Sequence, residues 1–345
     1  MLPSAGQMVV GVKNLVRASI RRREPKNFRV AQFGFVQLER GKNRLNTGRS
    51  CHRLSRTGAV CRDSRPSGIL RESYRIRAIR LRPTVAQKTR PGRGSWYLDP
   101  LVADQKRRAY LNLFESCAGA SAPRNFLKTD LFEEAYGDDA LLPEIARDAS
   151  LRLAVDVAIP TVEAAATRLV NQGVSVLAAD VRRLPFRTGT LDLILSSSTL
   201  DHFEKISELN AALAELARVL QPGWRLIVTL DNPWNPLYWL LRAMSRVRVT
   251  PFPLGRTLSA PSLARSLKDC GLEVESTGTL LHNPRVLSTI VFLALRRCLG
   301  ERADSPVRAL LRLFATGEKL PTRWLTCCFI SACARKPAAD TPGQL

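Results

Sequence analysis

Between residues 151 and 198 the chain alternates short apolar runs with polar and turn residues. The runs 151–155, 174–179 and 191–195 are rich in β-formers and bounded by charged or turn-forming residues, so each predicts a strand. Between the first two lies TVEAAATRLVNQG, 161–173, with Ala and Leu at helical spacing, Thr161 at its start and Gly173 just past its end, the residue types that cap helices. Strand, helix and strand in that order predict a β-α-β unit and hence a parallel sheet. Two of the strands end on Asp156 and Asp180, which places both carboxylates at the carboxyl edge of the sheet, where open α/β folds bind ligands.

The same periodicities extend the pattern in both directions. Apolar positions at 98, 101, 102, 109, 111, 113 and 114 predict a helix over 95–117, and RNFLKTD at 124–130 predicts the first strand. A helix from about 206 to 220 is expected to stop at Gln221-Pro222-Gly223, with WRLIVTLDN, 224–232, as the next strand. An aromatic and aliphatic insertion, PWNPLYWLLRAMSRV, follows it; it reads as a substrate wall, a membrane-touching surface across 234–246, or a helix packed on the sheet. A helix at 260–271, a strand at 272–281, helices at 284–298 and 305–319 and a last strand at 322–336 complete the reading.

Three motifs carry a family resemblance. AVDVAIPTVEAA at 154–165, AADVRRLPFRTGTLDLILSSSTLDHF at 178–203 and ALAELARVLQPGWRLIVTLDN at 212–232 stand in order and at family spacing. Together they resemble the second-strand acid, the third-strand acid with its fourth strand, and the helix and fifth strand of class I S-adenosylmethionine-dependent methyltransferases. The resemblance covers roughly residues 96 to 335 and is specific from 151 to 231. It implies an α/β, doubly wound, mostly parallel seven-stranded Rossmann-like sheet with helices on both faces, S-adenosyl-L-methionine as cofactor, and methyl transfer to a small-molecule acceptor.

The resemblance also assigns roles. Asp156, with its neighbour Val157, would accept from the ribose diol, Asp180 from the adenine amino group, and the Val181 amide would donate to a ring nitrogen. Each acid has a plain alternative as a helix cap or turn residue. Ser196 would lie beneath the transferring methyl, and His202 is the candidate general base at the rim, because imidazole titrates in the useful range. The chain departs from the family at the first strand. There the usual acid is followed by G-x-G-x-G, whereas Asp130 is followed by LFEEAYGDD, with no glycine before Gly137. Thr129, Asp130 and Gly137 are the expected contributors at that loop, and Glu133 and Glu134 are read as structural acids at the start of a helix. The departure leaves a second possibility, a methyltransferase-like protein that binds without catalysing.

Charge divides the chain. Residues 1–95 hold 23 Lys+Arg against 4 Asp+Glu, a net of +19, and residues 96–345 hold 30 against 26, a net of +4. The reading is therefore a basic N-terminal extension over 1–95 without a packed core, a methyltransferase domain over 96–336 and a frayed tail over 337–345. The extension reads as a disordered tail, a transit peptide or an electrostatic arm; an RNA methyltransferase using that arm is an alternative, but the body's near-neutral charge and the lack of aromatic interleaving argue against nucleic acid. The eight Cys are scattered without a C-x-x-C pair, which fits reduced thiols, no metal site and a cytoplasmic protein. The longest apolar run, 286–295, is far short of the ~20 residues of a membrane span.

Overall fold

The computed structural model describes residues 34–40, 74–80, 99–119, 121–246 and 254–338. Among them nine strands pair into one sheet: β1 (Gly34–Arg40), β2 (Tyr74–Arg80), β3 (Asn125–Thr129), β4 (Leu151–Asp156), β5 (Val174–Ala178), β6 (Leu191–Ser197), β7 (Leu220–Asp231), β8 (Glu273–Leu280) and β9 (Phe329–Arg335). Their order is β2-β1-β5-β4-β3-β6-β7-β9-β8. Strands β3 to β7 run parallel, whereas β9 pairs antiparallel with both β7 and β8. The central strands are covered on both faces and so need no polar side; β6 is buried along its whole length.

Successive side chains on a strand point to opposite faces, and the two faces meet different helices. Leu127, Leu153, Ile194 and Val228 pack with α4 (Ile206–Val219) and α6 (Ala260–Asp269). Phe126, Ala154, Leu193 and Ile227 pack on the other face with α1 (Pro100–Ala118) and α3 (Ile159–Arg168). A smaller cluster joins Val102 of α1 to Phe292 of α7 (Arg285–Leu299) and Val307 of α8 (Asp304–Ala315). The remaining helices are α2 (Phe132–Tyr136), α5 (Pro236–Arg246) and α9 (Arg323–Thr326). The seven strands from β5 to β8, with helices on both faces, are the doubly wound arrangement expected from the sequence.

Several local expectations change. Helix α3 begins two residues before Thr161; its N-cap is Ala158, which makes no side-chain capping bond, and the Ala158 amide instead donates to Asp156 Oδ1 at 2.8 Å, holding the acid in a turn at the strand end. The Pro222-Gly223 signal does end α4, but β7 starts at once at Leu220, with Gly223 at φ 85 inside it. Residues 322–328 were read as strand and instead contain α9, with β9 starting only at Phe329. The basic stretch holds β1 and β2, which pair with each other, and β1 pairs in parallel with β5 through Val36 and Gln37. The rest of the 1–95 reading, the domain start at Ser95 and residues 339–345 of the tail lie outside the described residues.

One side chain breaks the apolar pattern of the central strands. Lys128 is fully buried in β3, on the α1 face of the sheet. Its ammonium lies 2.9 Å from Glu134 Oε2 and 3.6 Å from Glu133 Oε2, both on α2, and donates to the Asp130 carbonyl at 2.7 Å. Glu134 Oε1 in turn accepts from the Leu141 and Leu142 amides, and Lys106 of α1 bridges Glu133 at 3.0 Å and Asp139 at 2.6 Å. Burial alone would lower the Lys128 pKa, but the carboxylates of Glu134 and Glu133 outweigh it and raise it. Burial likewise works to raise Glu133, yet Lys106 and Lys128 hold it down at about 2. Removing one partner strands a buried charge, which costs about 3–5 kcal/mol, whereas removing both can be nearly neutral. Glu134→Gln, which keeps the oxygen that accepts the two amides, is expected to lower the unfolding free energy by that amount, and adding Lys128→Met should restore most of it. Urea unfolding of both variants measures this; equal losses would show that Glu134 does not hold the Lys128 charge.

Candidate active site

The carboxyl ends of β3, β4, β5 and β6 converge on one edge. Asp156, last residue of β4, is held by two backbone amides, Leu131 N to Oδ2 at 3.0 Å and Ala158 N to Oδ1 at 2.8 Å. A carboxylate offers about four acceptor positions, so the group stays aimed and keeps capacity for a diol. Val157 beside it is 72% exposed, which opens that part of the edge to solvent.

Asp130 follows β3 in a left-handed conformation, φ 69, which costs an ordinary residue strain. Asp tolerates it here because Oδ1 accepts from the Phe132 amide at 2.7 Å, closing a local turn. Its Oδ2 lies 3.9 Å from His202 Nε2. Burial, and then the Glu133 carboxylate, push the Asp130 pKa up to about 7, against the opposing pull of Lys128. This acid sits among other acids at a strand end and gains from any cation brought to it.

Asp180, just past β5, has both oxygens taken by its neighbour. Arg182 donates Nε to Oδ1 and Oδ2 at 3.0 and 3.1 Å and Nη2 to Oδ2 at 2.7 Å, and its amide reaches Oδ1 at 2.9 Å. Burial tends to raise the Asp180 pKa, and these bonds outweigh it and lower it. The guanidinium also bridges Glu208 at 2.6 Å and covers the Phe203 ring at 5.1 Å. An adenine amino group can reach Asp180 only once Arg182 turns away.

The other sequence candidates are distributed differently. Thr129 and Ser196 are fully buried and bonded to each other at 3.0 Å, with Thr199 at 2.7 Å from Thr129 Oγ1, so their hydroxyls tie β3 to β6. Val181 is buried in the core. Gly137 ends α2 and donates to the Glu133 carbonyl at 2.8 Å; a methyl there would run into Asp139 and Glu133, so packing alone requires glycine. His202 is half-exposed at the end of the one-turn helix Leu200–His202 that follows β6. Asp192 of β6 is buried and accepts the Arg124 and Asn125 amides at 2.7 and 3.0 Å, which makes it a structural acid.

Three contributors were not read from the sequence. Tyr110 of α1 reaches over the strand ends to Thr229 Oγ1 at 3.1 Å and Ser198 Oγ at 3.4 Å, so α1 roofs the edge. Gly255 donates to the Asp201 carbonyl at 2.8 Å and lies against His202 and Phe203, where any side chain would collide with their backbone. Arg182, visible only as one arginine of a pair, closes the third-strand acid. Among the described residues no group of His, Cys, Asp and Glu is arranged to hold a metal ion.

Residues 134–228 match a family model described as a methyltransferase domain. A demethylmenaquinone methyltransferase of Mycobacterium bovis is 32% identical over 120 residues, covering 33% of this chain and 48% of that protein. The same enzyme of Mycolicibacterium gilvum is 33% identical over 105 residues, covering 30% and 43%. The chain thus spans about half the length of the curated relatives it matches. Among solved structures, the N-methyltransferase NodS of Bradyrhizobium japonicum aligns with a TM-score of 0.42 at 15% identity over 69% of this chain and 89% of its own. The geranyl diphosphate C-methyltransferase of Streptomyces coelicolor aligns with a TM-score of 0.45 at 15% identity over 66% and 79%. The family match falls on the strands that carry the two acids, within a sheet of doubly wound order, so residues 134–228 are similar to a methyltransferase domain and sit on the fold expected of the class I S-adenosylmethionine-dependent family.

Proposed function

We propose that the chain transfers a methyl group from S-adenosylmethionine to a small-molecule acceptor, and that the demethylmenaquinone named for its relatives is the first acceptor to test. The observation that carries this reading is Asp156: at the end of the second family strand, aimed by the Leu131 and Ala158 amides, beside an exposed Val157.

The residues fit the cofactor at two of its three parts. Asp156 suits the ribose diol, and Asp130, anionic at a cost among other carboxylates, suits the methionine ammonium. The adenine end requires Arg182 to leave Asp180. When bound, the cofactor supplies a methyl already activated on a sulfonium, so the protein's own work is positioning. Asp156 and Asp130 fix the donor, Tyr110 and the segment around Gly255 wall the edge, and His202 stands where it can take a proton from an acceptor hydroxyl or enol. A second reading, binding without catalysis, is favoured by the Arg182 clamp and by the side chains that fill the loop after β3.

Asp156→Ala removes charge-assisted bonds worth roughly 1.5–3 kcal/mol, so S-adenosylhomocysteine should bind about tenfold to a hundredfold more weakly to the folded variant. Unchanged affinity would remove Asp156 from the site. For Asp130 the sign follows from its raised pKa. Between its ordinary 3.8 and about 7 the folded protein holds a proton that the unfolded chain has lost, so stability falls as pH rises through that window. Ionisation above it favours a bound ammonium. Wild-type affinity for S-adenosylhomocysteine is therefore expected to rise between pH 6 and 8 while wild-type stability falls relative to Asp130→Asn, whose affinity should be weak and flat across that range; parallel pH profiles for the two proteins would refute the role. Transfer of labelled methyl to demethylmenaquinone would support the first reading, whereas failure to bind either S-adenosylmethionine or S-adenosylhomocysteine at millimolar concentration would support the second.

A further inference from the structure

Helix α5 turns the wrong face outward for a helix in water. Pro236, Trp239, Leu240 and Ala243, spaced 3, 4 and 7 from the first, are all exposed, with Trp239 at 56% and Leu240 at 52%. Its opposite side is buried through Tyr238 and Leu241, and the Tyr238 hydroxyl donates to the Gly255 carbonyl at 2.9 Å. The helix is thus fixed on the body, and its apolar side has no cover among the described residues.

The patch continues onto α9. Trp234, 56% exposed, meets Trp324 edge to face at 5.9 Å, and Asn232 Nδ2 donates to the Trp324 carbonyl at 2.7 Å, which locks the two segments side by side. Leu320 beside Trp324 is also half-exposed. Three of the chain's five tryptophans therefore share one surface. The indole N–H of Trp239 already donates to the Pro233 carbonyl at 3.1 Å, so that ring can enter an apolar phase without stranding its donor.

Charge decides the occupant. The segments 233–246 and 319–326 contain no acid; Lys319 is exposed beside the apolar residues, Arg242 lies half-buried against Tyr238, and the exposed Arg323 is shared with Glu318 at 3.7 Å, so the face stays net cationic with one acid at its border. A second copy seated face to face would set these cations against their own kind. An anionic phospholipid surface answers both features, taking the indoles and leucines at the level of the headgroups and the cations at the phosphates.

We propose that the α5–α9 face docks on an anionic phospholipid bilayer. The face joins the acceptor side of the site directly, because Tyr238 holds Gly255 and Gly255 is bonded to the loop carrying Asp201 and His202. If the methyl-transfer reading holds, docking sets that rim over the lipid and suits an acceptor dissolved in it; the docking itself is measured without cofactor, so failure of one leaves the other standing.

The test is tryptophan quenching of the full chain by vesicles of phosphatidylcholine and phosphatidylglycerol with brominated acyl chains. Wild type should be quenched, and the Trp234→Phe, Trp239→Phe double variant should lose most of the quenching. Leu240→Glu, exposed and so tolerated by the fold, should lower partitioning about tenfold or more, the loss of one buried leucine. Vesicle binding without quenching would mean that the basic N-terminal stretch alone holds the protein to lipid, and it overturns the proposal, as does quenching that survives all these substitutions. A concentration-dependent dimer abolished by Leu240→Glu would overturn it in favour of a second copy.

Discussion

A lysine ammonium carried into the middle of a sheet has to be met by carboxylates, because an unpaired charge in that dry interior costs several kcal/mol. Lys128 imposes this on everything after β3. Glu134 and Glu133 must come back within reach of it, so the chain turns at Asp130 and enters α2 at once. That tight return sets the Leu131 amide against Asp156, and Lys106 then draws α1 down onto Glu133 and Asp139. A single buried charge thus links the central strand, the roof helix and the aiming of Asp156.

The consequence for the site is a sheet edge whose turn after β3 is built with side chains rather than glycine. Left-handed backbone at residue 130 is retained, but by an Asp whose own carboxylate closes the turn. That carboxylate is costly to ionise where it stands, and the same cost makes it responsive to a cation. Under the proposed function, the Arg182 clamp on Asp180 would oppose binding at the far end of the edge, and affinity would be the balance between an acid that gains from the ligand and an acid that must first give up a guanidinium. The apolar face of α5, held to the site rim through Tyr238 and Gly255, gives this edge a direction in space.

Much of the fold was legible in the sequence because the central strands are short, apolar and punctuated, and because Asp156 and Asp180 close two of them. What failed did so for physical reasons. TRWLT has strand-forming composition, yet the amides of Arg323, Leu325 and Cys327 close helical turns onto the carbonyls of Leu320, Thr322 and Arg323, so tertiary context outweighs propensity. Thr161 has the residue type of a cap, but Pro160 allows the helix to start earlier, at Ile159 after Ala158, where no side chain caps it. β1 and β2 are hard to read because GFVQLER and YRIRAIR are short runs within a stretch rich in Arg, Ser, Gly and Pro that shows no sustained period. At the site the positions of the acids could be read and their engagements could not. Nothing in the local sequence says that Arg182 closes both oxygens of Asp180, or that Thr129 and Ser196 spend their hydroxyls on each other, since those partners are set by the register of β3 against β6 and by side-chain reach.

The central claim is that a loop filled by the Lys128–Glu134 pair still admits the cofactor. Isothermal calorimetry of the unmodified full chain with S-adenosylhomocysteine addresses it most directly. Saturable binding at one site per chain, abolished by excess S-adenosylmethionine, is the result this structure predicts; no heat of binding at millimolar ligand would contradict it and leave a methyltransferase fold that has closed its own cofactor edge.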